Sequence, residues 1–269
     1  MIDAMPELAE VEYYRKRWDA GLRQRVTGVA LHAGKRVFRE ARTVAHLRGL
    51  AGHTLLESMA SGKQMLFRFS GGLWMGVHLG MTGTLRSEAP GVKPGPHDHL
   101  VLRQRDQSLV FRDPRQFGRI RLEKANQPPE WWRRLAPSVL SPEFTARQVG
   151  DFLRSKSRAP VKSVLLMQEG FPGIGNWMAD EILWRSGIFP KRRCRDLEKE
   201  EIRLLWRQVR AISRAALSII GRDFSDPPAT WLLAHRWGAG GKCPRHGVRL
   251  EREPIGGRAT CWCPVCQSA

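Results

Sequence analysis

Gly170-Phe-Pro-Gly-Ile-Gly-Asn176, running on into Trp-Met-Ala-Asp-Glu-Ile-Leu-Trp-Arg-Ser186, joins two helix-prone stretches and organises the reading of the chain. Its glycines permit tight turns and a close approach of backbone N–H groups to a ligand. The helix that follows would present its unpaired N–H groups at the same point, where an anion is favoured. Asn176, at or near the N-cap, is a candidate either to cap that helix or to hold a phosphate oxygen. Within Asn176–Ser186 the residues Ala179, Ile182, Leu183 and Ser186 share one face, and Glu198–Ile219 is a second, longer helix-prone run. Helical signals therefore fill the region from Thr145 to about Ile219.

Toward the C-terminus, Cys243-Pro-Arg-His246 and Cys263-Pro-Val-Cys266 are separated by sixteen residues. Each C-x-x-C or C-x-x-H turn lets two side chains reach one tetrahedral ion, and the intervening residues form a hairpin that turns at Gly256-Gly257. Four closed ligands, Cys243, His246, Cys263 and Cys266, predict one structural Zn2+ rather than a catalytic metal. Cys261 is the alternative fourth ligand to His246, although alternate residues of one strand are poorly placed for a knuckle. Arg258, just past the turn, would project from the hairpin tip as a phosphate contact or a solvated arginine. A segment this short has no core of its own, so metal loss should unfold it. Cys194 stands isolated between Arg193 and Arg195 and reads as a free thiol.

Toward the N-terminus the pattern changes to strands. Gln64–Phe69 and Leu73–Met81 alternate, with Leu73, Met75, Val77, Leu79 and Met81 on one face and Ser70-Gly71-Gly72 as the turn. His99–Arg103, Ser108–Arg112 and Arg119–Leu122 are further strand candidates. Leu8, Val11, Tyr14 or Arg15, and Trp18 recur at helical spacing, with Gly21 as the stop. The expected fold is a multidomain α+β chain. It has an N-terminal β-sandwich with an N-terminal helix (1–124), a linker (125–144), a helical domain (145–237) and a zinc ribbon (238–269).

The charge balance names a class of partner. The 269 residues carry 45 Lys and Arg against 26 Asp and Glu, a net +19 spread along the chain rather than gathered in a tail. Such a surplus suits a polyanion, with nucleic acid first. A hydrophobic content of 42% with ten Trp argues against disorder. No apolar run reaches the ~18 residues of a membrane span, the first residues lack a signal-peptide core, and the cysteines form no disulfide framework. The expectation is a soluble, cytoplasmic, nucleoid-associated protein without a membrane partner, acting as a monomer.

Several segments together resemble the formamidopyrimidine-DNA glycosylase and endonuclease VIII family. They are Pro6-Glu-Leu-Ala-Glu-Val-Glu12, His78-Leu-Gly-Met-Thr-Gly83, Asp113-Pro-Arg-Gln-Phe-Gly118, Gly173–Leu183, Gly256-Gly-Arg258 and Cys263-Pro-Val-Cys-Gln267. They occur in order over essentially the whole chain from Met5 to Gln267. The resemblance implies a helix-two-turn-helix domain after the sandwich, and a bifunctional DNA glycosylase and AP lyase of base excision repair. Double-stranded DNA with damaged bases or abasic sites would be its partner, bound in a basic cleft.

In that family the N-terminal proline amine is the nucleophile, which implies Pro6 here, with Glu7 as acid/base beside it and Lys63 on a phosphate flanking the lesion. A secondary amine can attack C1′, displace the base and hold the sugar as an iminium that eliminates phosphate. An α-amine starts near pKa ~8, and a helix N-terminus lowers it further. Met1-Ile-Asp-Ala4 precedes Met5 and would leave Pro6 an amide, so the expected start is Met5, or the extension is trimmed. Met81, Arg115 and Phe117, expected on two hairpin loops, match the trio that fills the gap left by an extruded base. They point to oxidised or ring-opened purines. The family's long lid after Arg-Asp-Phe has little room here, because Arg222-Asp-Phe224 is followed by Ser225-Asp-Pro-Pro228 and soon by Trp231. The competing readings are a damage-binding protein with its proline blocked, a glycosylase for oxidised pyrimidines, and a zinc-ribbon nucleic-acid module unrelated to repair.

Overall fold

The computed structural model describes residues 5–39, 43–238 and 240–268. The extension Met1–Ala4 singled out by the sequence lies outside them. The chain divides into two compact units, Met1–Pro6 with Glu10–Leu135, and Glu7–Ala9 with Ala136–Ala269.

The first unit takes most of helix α1 (Leu8–Lys16), then β1 (Gly28–Leu31), α2 (Thr43–Arg48), β2 (Leu55–Ser61), β3 (Gln64–Phe69), β4 (Leu73–His78), β5 (Thr84–Glu88), β6 (Asp98–Arg103), β7 (Ser108–Arg112), β8 (Arg119–Lys124) and a single turn, α3 (Glu130–Arg133). Two four-stranded antiparallel sheets result, in the orders β1-β6-β7-β5 and β2-β3-β4-β8. One apolar core, including Trp18, Met65, Phe67, Phe69, Met75, Leu100, Leu109 and Phe111, unites residues of both sheets. Alternation explains it, because residues two apart on a strand point to one face. Met75, Val77 and Leu79 turn inward as expected.

The strand expected over Leu73–Met81 stops at His78. Gly80 takes φ +65°, and the Gly83 N–H closes a turn onto the Leu79 carbonyl at 2.9 Å. Met81 therefore lies on a turn rather than on the strand's inner face. The turns expected to be hairpins are also something else. β4 pairs with β8 in one sheet and β5 with β7 in the other, so the β4–β5 and β7–β8 connections both cross between sheets. They run side by side, flanked by the register pairs His78–Arg119 and Thr84–Arg112.

The second unit holds α4 (Ala146–Ser155), α5 (Val161–Leu165), α6 (Asn176–Ser186), α7 (Lys199–Asp223) and the ribbon β9 (Glu251–Ile255) with β10 (Arg258–Trp262). Thr145 caps α4 in a reciprocal box with Gln148, at 3.2 and 3.1 Å. α7 buries Ile202, Leu205, Val209, Ile212, Ala216 and Ile220, one stripe at steps of three and four. α6 is different. Trp177 through Trp184 are all buried, so the helix is enclosed all round and the single-face reading of its sequence was too narrow. The cysteine tail packs with the helices, where Trp184 and Leu232 join Cys243, Leu250, Cys261 and Cys263 in a small core.

Candidate functional site

Among the first described residues the backbone runs non-helically through Pro6 and Glu7, and α1 begins at Leu8. Pro6 thus lies just ahead of the helix. Glu7 is buried to 1% exposure, a position a lone carboxylate could not hold. It survives there because its oxygens accept the backbone N–H groups of Gly175 (2.9 Å), Trp177 (2.9 Å) and Met178 (3.1 Å). These donors belong to the N-terminus of α6, whose dipole also favours negative charge. The Leu8 N–H donates to the Gly173 carbonyl at 3.0 Å and fixes the approach. A Cβ at Gly175 would overlap the Glu7 carboxylate, so only glycine lets this side chain come so close to the start of α6.

The anion expected at this helix terminus is therefore the protein's own Glu7, with the three N–H groups already engaged. Asn176 is not the cap either; Gly175 occupies that position without a side-chain cap. The Asn176 Nδ2 donates to the Ala259 carbonyl of β10 at 2.8 Å, tying the ribbon to the start of α6.

Beneath lies a group of charges that sequence reasoning missed. Lys162 of α5 and Asp180 of α6 are both fully buried and form an ion pair. Arg236, 4% exposed, donates its Nε to Asp180 Oδ2 at 3.1 Å. The Cys261 N–H donates to the same oxygen at 3.1 Å, and Lys162 Nζ to the Asn176 carbonyl at 2.7 Å. Burial pushes the Lys162 ammonium below its ordinary value, and Asp180 acts against that. Lys, Asp and Arg at separations of 18 and 56 residues carry no local pattern, so nothing in the sequence pairs them.

In the first unit the two inter-sheet crossings bring Met81, Arg115 and Phe117 to neighbouring loops. Phe117 is 37% exposed, and the Arg115 guanidinium lies 5.1 Å from its ring centroid. Gln116 between them has φ +55°, the left-handed region that is uncommon for a non-glycine residue. Lys63 sits in the β2–β3 turn. His78, at the end of β4, is lowered to about 4 by burial first and then by Lys63, Arg121, Arg39 and Arg119. Its Nδ1 accepts the Gly80 N–H at 3.0 Å.

Cys243, His246, Cys263 and Cys266 bring their ligand atoms within 4.8 Å of one another, a set able to hold a metal ion. His246 Nδ1 lies 3.2 Å from Cys266 Sγ and 3.9 Å from Cys263 Sγ, and Cys243 Sγ lies 3.8 Å from Cys266 Sγ. Cys261 stands outside this group, its thiol pushed up to about 11 by burial. Gly256 and Gly257 turn the ribbon with φ +59° and +74°, and Arg258 is exposed at the first position of β10. Cys194 is buried, and burial pushes its thiol up to about 11.

The sequence pattern of the formamidopyrimidine-DNA glycosylase N-terminal domain matches residues 5–120, and that of the family's H2TH domain matches 135–226. A protein named formamidopyrimidine-DNA glycosylase from Thermus thermophilus is 36% identical over 276 residues, covering 98% of each chain. One of the same name from Xanthomonas campestris is 34% identical, over 98% of this chain and all of its own. Among solved structures, Lactococcus lactis Fpg in complex with DNA containing an oxidised pyrimidine superposes with a TM-score of 0.88 at 26% identity, over 98% of this chain and 100% of its own. A MutM complex with DNA containing carbocyclic 8-oxo-G gives 0.86 with the same identity and coverage. Two matched domains in order, and relatives above 30% identity over nearly the full length, place this chain in the formamidopyrimidine-DNA glycosylase family.

Proposed function

We propose that this chain is a base-excision-repair DNA glycosylase with AP lyase activity, acting on double-stranded DNA that contains oxidised or ring-opened purines. The observation that carries the reading is the seat of Glu7. A buried carboxylate, oriented by three backbone donors, directly follows the proline whose amine would attack C1′. Once Met5 is gone, the secondary amine of Pro6 displaces the base and holds the sugar as an iminium. Glu7 moves protons to and from the sugar beside it, and a positioned acid/base of this kind contributes ~10²–10⁴-fold. Successive β- and δ-elimination then cut the strand.

Met81, Arg115 and Phe117 fill the space of the extruded base, two stacking surfaces beside a cation that pairs with the orphaned partner. Lys63, Arg258 and Asn176 hold phosphates. The Asn176 amide has two N–H donors, and the Ala259 carbonyl takes one. The metal is zinc in a structural role. A tetrahedral zinc with Zn–S bonds of about 2.3 Å spaces its thiolates about 3.8 Å apart, which the Cys243–Cys266 separation of 3.8 Å fits. A closed Cys3His set leaves no position for substrate, so zinc supplies rigidity to the ribbon and no chemistry. The short segment from Ser225 to Trp231 favours formamidopyrimidines over 8-oxoguanine. The protein works in the bacterial cytoplasm on the nucleoid.

The test is borohydride trapping on abasic duplex DNA, with protein beginning at Met1 and at Met5, and the mature N-terminus read by mass spectrometry. Covalent adduct confined to protein with an exposed Pro6 is expected. No adduct from either form, with zinc and DNA binding intact, replaces the lyase with a damage-binding protein. Affinity should also fall steeply with salt, since phosphate neutralisation supplies most of the binding.

A further inference from the structure

Asp113 is fully buried beneath the two crossing loops, and it is neither a strand pairing residue nor part of the chemistry described above. Its Oδ1 accepts the Thr82 hydroxyl of the β4–β5 crossing at 2.7 Å. Its Oδ2 accepts the Gly118 N–H of the β7–β8 crossing at 2.7 Å. One carboxylate thus spans both loops. Thr82 answers in the other direction, because its oxygen takes the Arg115 N–H at 3.3 Å. His99, also fully buried, binds the Asp113 carbonyl through Nε2 at 2.8 Å, and the Gln116 N–H reaches that carbonyl at 3.3 Å.

Steric contact tightens the same joint. A Cβ at Gly80 would overlap the backbone of Phe117 and Gly118, and one at Gly118 would sit 2.8 Å from Phe111 and 2.9 Å from Asp113 Oδ2. The loops therefore touch backbone to backbone. Met81 lies directly between Gly80 and Thr82, while Arg115 and Phe117 lie between Asp113 and Gly118. Every residue of the trio is bracketed by two members of the joint.

We infer that Asp113 and Thr82 are positioning residues that lock the two crossings together, so that Met81, Arg115 and Phe117 enter the duplex as one rigid wedge. The inference rests on the base-extruding reading proposed above. Loops that moved independently would leave part of the stack unfilled at any moment, and extrusion of a paired base would lose its compensation. An abasic nucleotide has no base to extrude, so its chemistry depends on the lock far less.

The experiment compares wild type with Thr82→Val, Thr82→Ser and Asp113→Asn on two substrates. Single-turnover excision is measured on a formamidopyrimidine-containing duplex, and borohydride trapping on an abasic duplex. 2-Aminopurine beside the lesion reports unstacking, and thermal melting checks the fold. Thr82→Val preserves shape but removes a hydroxyl bonded to a buried carboxylate, so excision should fall about tenfold or more. The 2-aminopurine signal should fall with it, while trapping changes less than about twofold. Thr82→Ser should restore both, and Asp113→Asn should follow Thr82→Val. Equal excision by wild type and Thr82→Val overturns the lock, as does a parallel loss on both substrates. If wild-type protein with exposed Pro6 acts on neither substrate, the catalytic reading falls and the lock with it.

Discussion

The Glu7 carboxylate meets the Trp177 N–H at 2.9 Å across 170 residues of chain, so an acidic side chain at one end is oriented by a helix near the middle. Glu7→Gln keeps the shape but sets an amide N–H2 against backbone donors. It should cost about 1–3 kcal/mol of stability and about 10²-fold or more in base excision. Melting curves and single-turnover excision separate the two losses. Retained excision would remove Glu7 from the chemistry.

Gly175→Ala tests the same seat from the other side. Its backbone, at φ −129°, accepts alanine without strain, so the whole effect comes from the Cβ displacing the Glu7 carboxylate. Overpacking of this kind costs about 1–3 kcal/mol. Trapping on abasic DNA should fall far more than the melting temperature suggests.

His78 sets an acid limit. Its folded value, about 4, lies below the ordinary 6.5, so below 6.5 the unfolded chain takes a proton that the folded one refuses. Stability should be untouched above about pH 6.5 and fall progressively toward pH 4. The proton would also displace the Gly80 N–H from Nδ1. Thermal melts from pH 7.5 to 4.5 should show a shallower acid loss in His78→Gln than in wild type.

Metal analysis should return one zinc per chain. His246→Cys and Cys261→Ser should retain it, whereas Cys263→Ala and Cys266→Ala should lose it and unfold the ribbon. Because the ligating thiols must give up their protons, chelators should strip the metal more readily as the pH falls. Full zinc in His246→Ala with none in Cys261→Ser would reassign the fourth ligand from His246 to Cys261.

Cys194 should resist alkylation in the folded protein at pH 8. Burial both shields the thiol and pushes it up to about 11, leaving little thiolate. Intact-mass spectrometry after iodoacetamide should show modification at Cys194 only on adding denaturant.

What the sequence made legible follows the range of the forces involved. Strands β3, β4, β6, β7 and β8 showed in short-range alternation, the ribbon in its ligand spacing, and the glycine turn at 256–257 in two adjacent residues. Strands β1, β2 and β5 did not. Gly28–Leu31 has only four residues, all half-buried, and Thr84–Glu88 is largely polar, so their partners decide them. The enclosed position of α6 was hidden because a helix buried all round carries no amphipathic stripe. The seat of Glu7, the Lys162–Asp180–Arg236 group and the Asp113 lock join residues far apart in sequence. Each residue could be read, but its partner could not. The resemblance supplied Pro6, Glu7 and the trio; it did not reveal that the trio's loops cross between sheets.

That crossing has a mechanical consequence. A hairpin loop pushed against a duplex would hinge about the two strands of one ribbon and fold back. The β4–β5 and β7–β8 connections are each anchored in both sheets, like a pair of rafters resting on two walls. A load on their tips becomes shear between the walls, resisted by the packing of Phe67, Met75, Leu109 and Phe111 within the sandwich. Core substitutions that soften this packing should blunt the tool before they unfold the protein. Damage recognition would then fade at temperatures below the melting transition, where the chain is still folded.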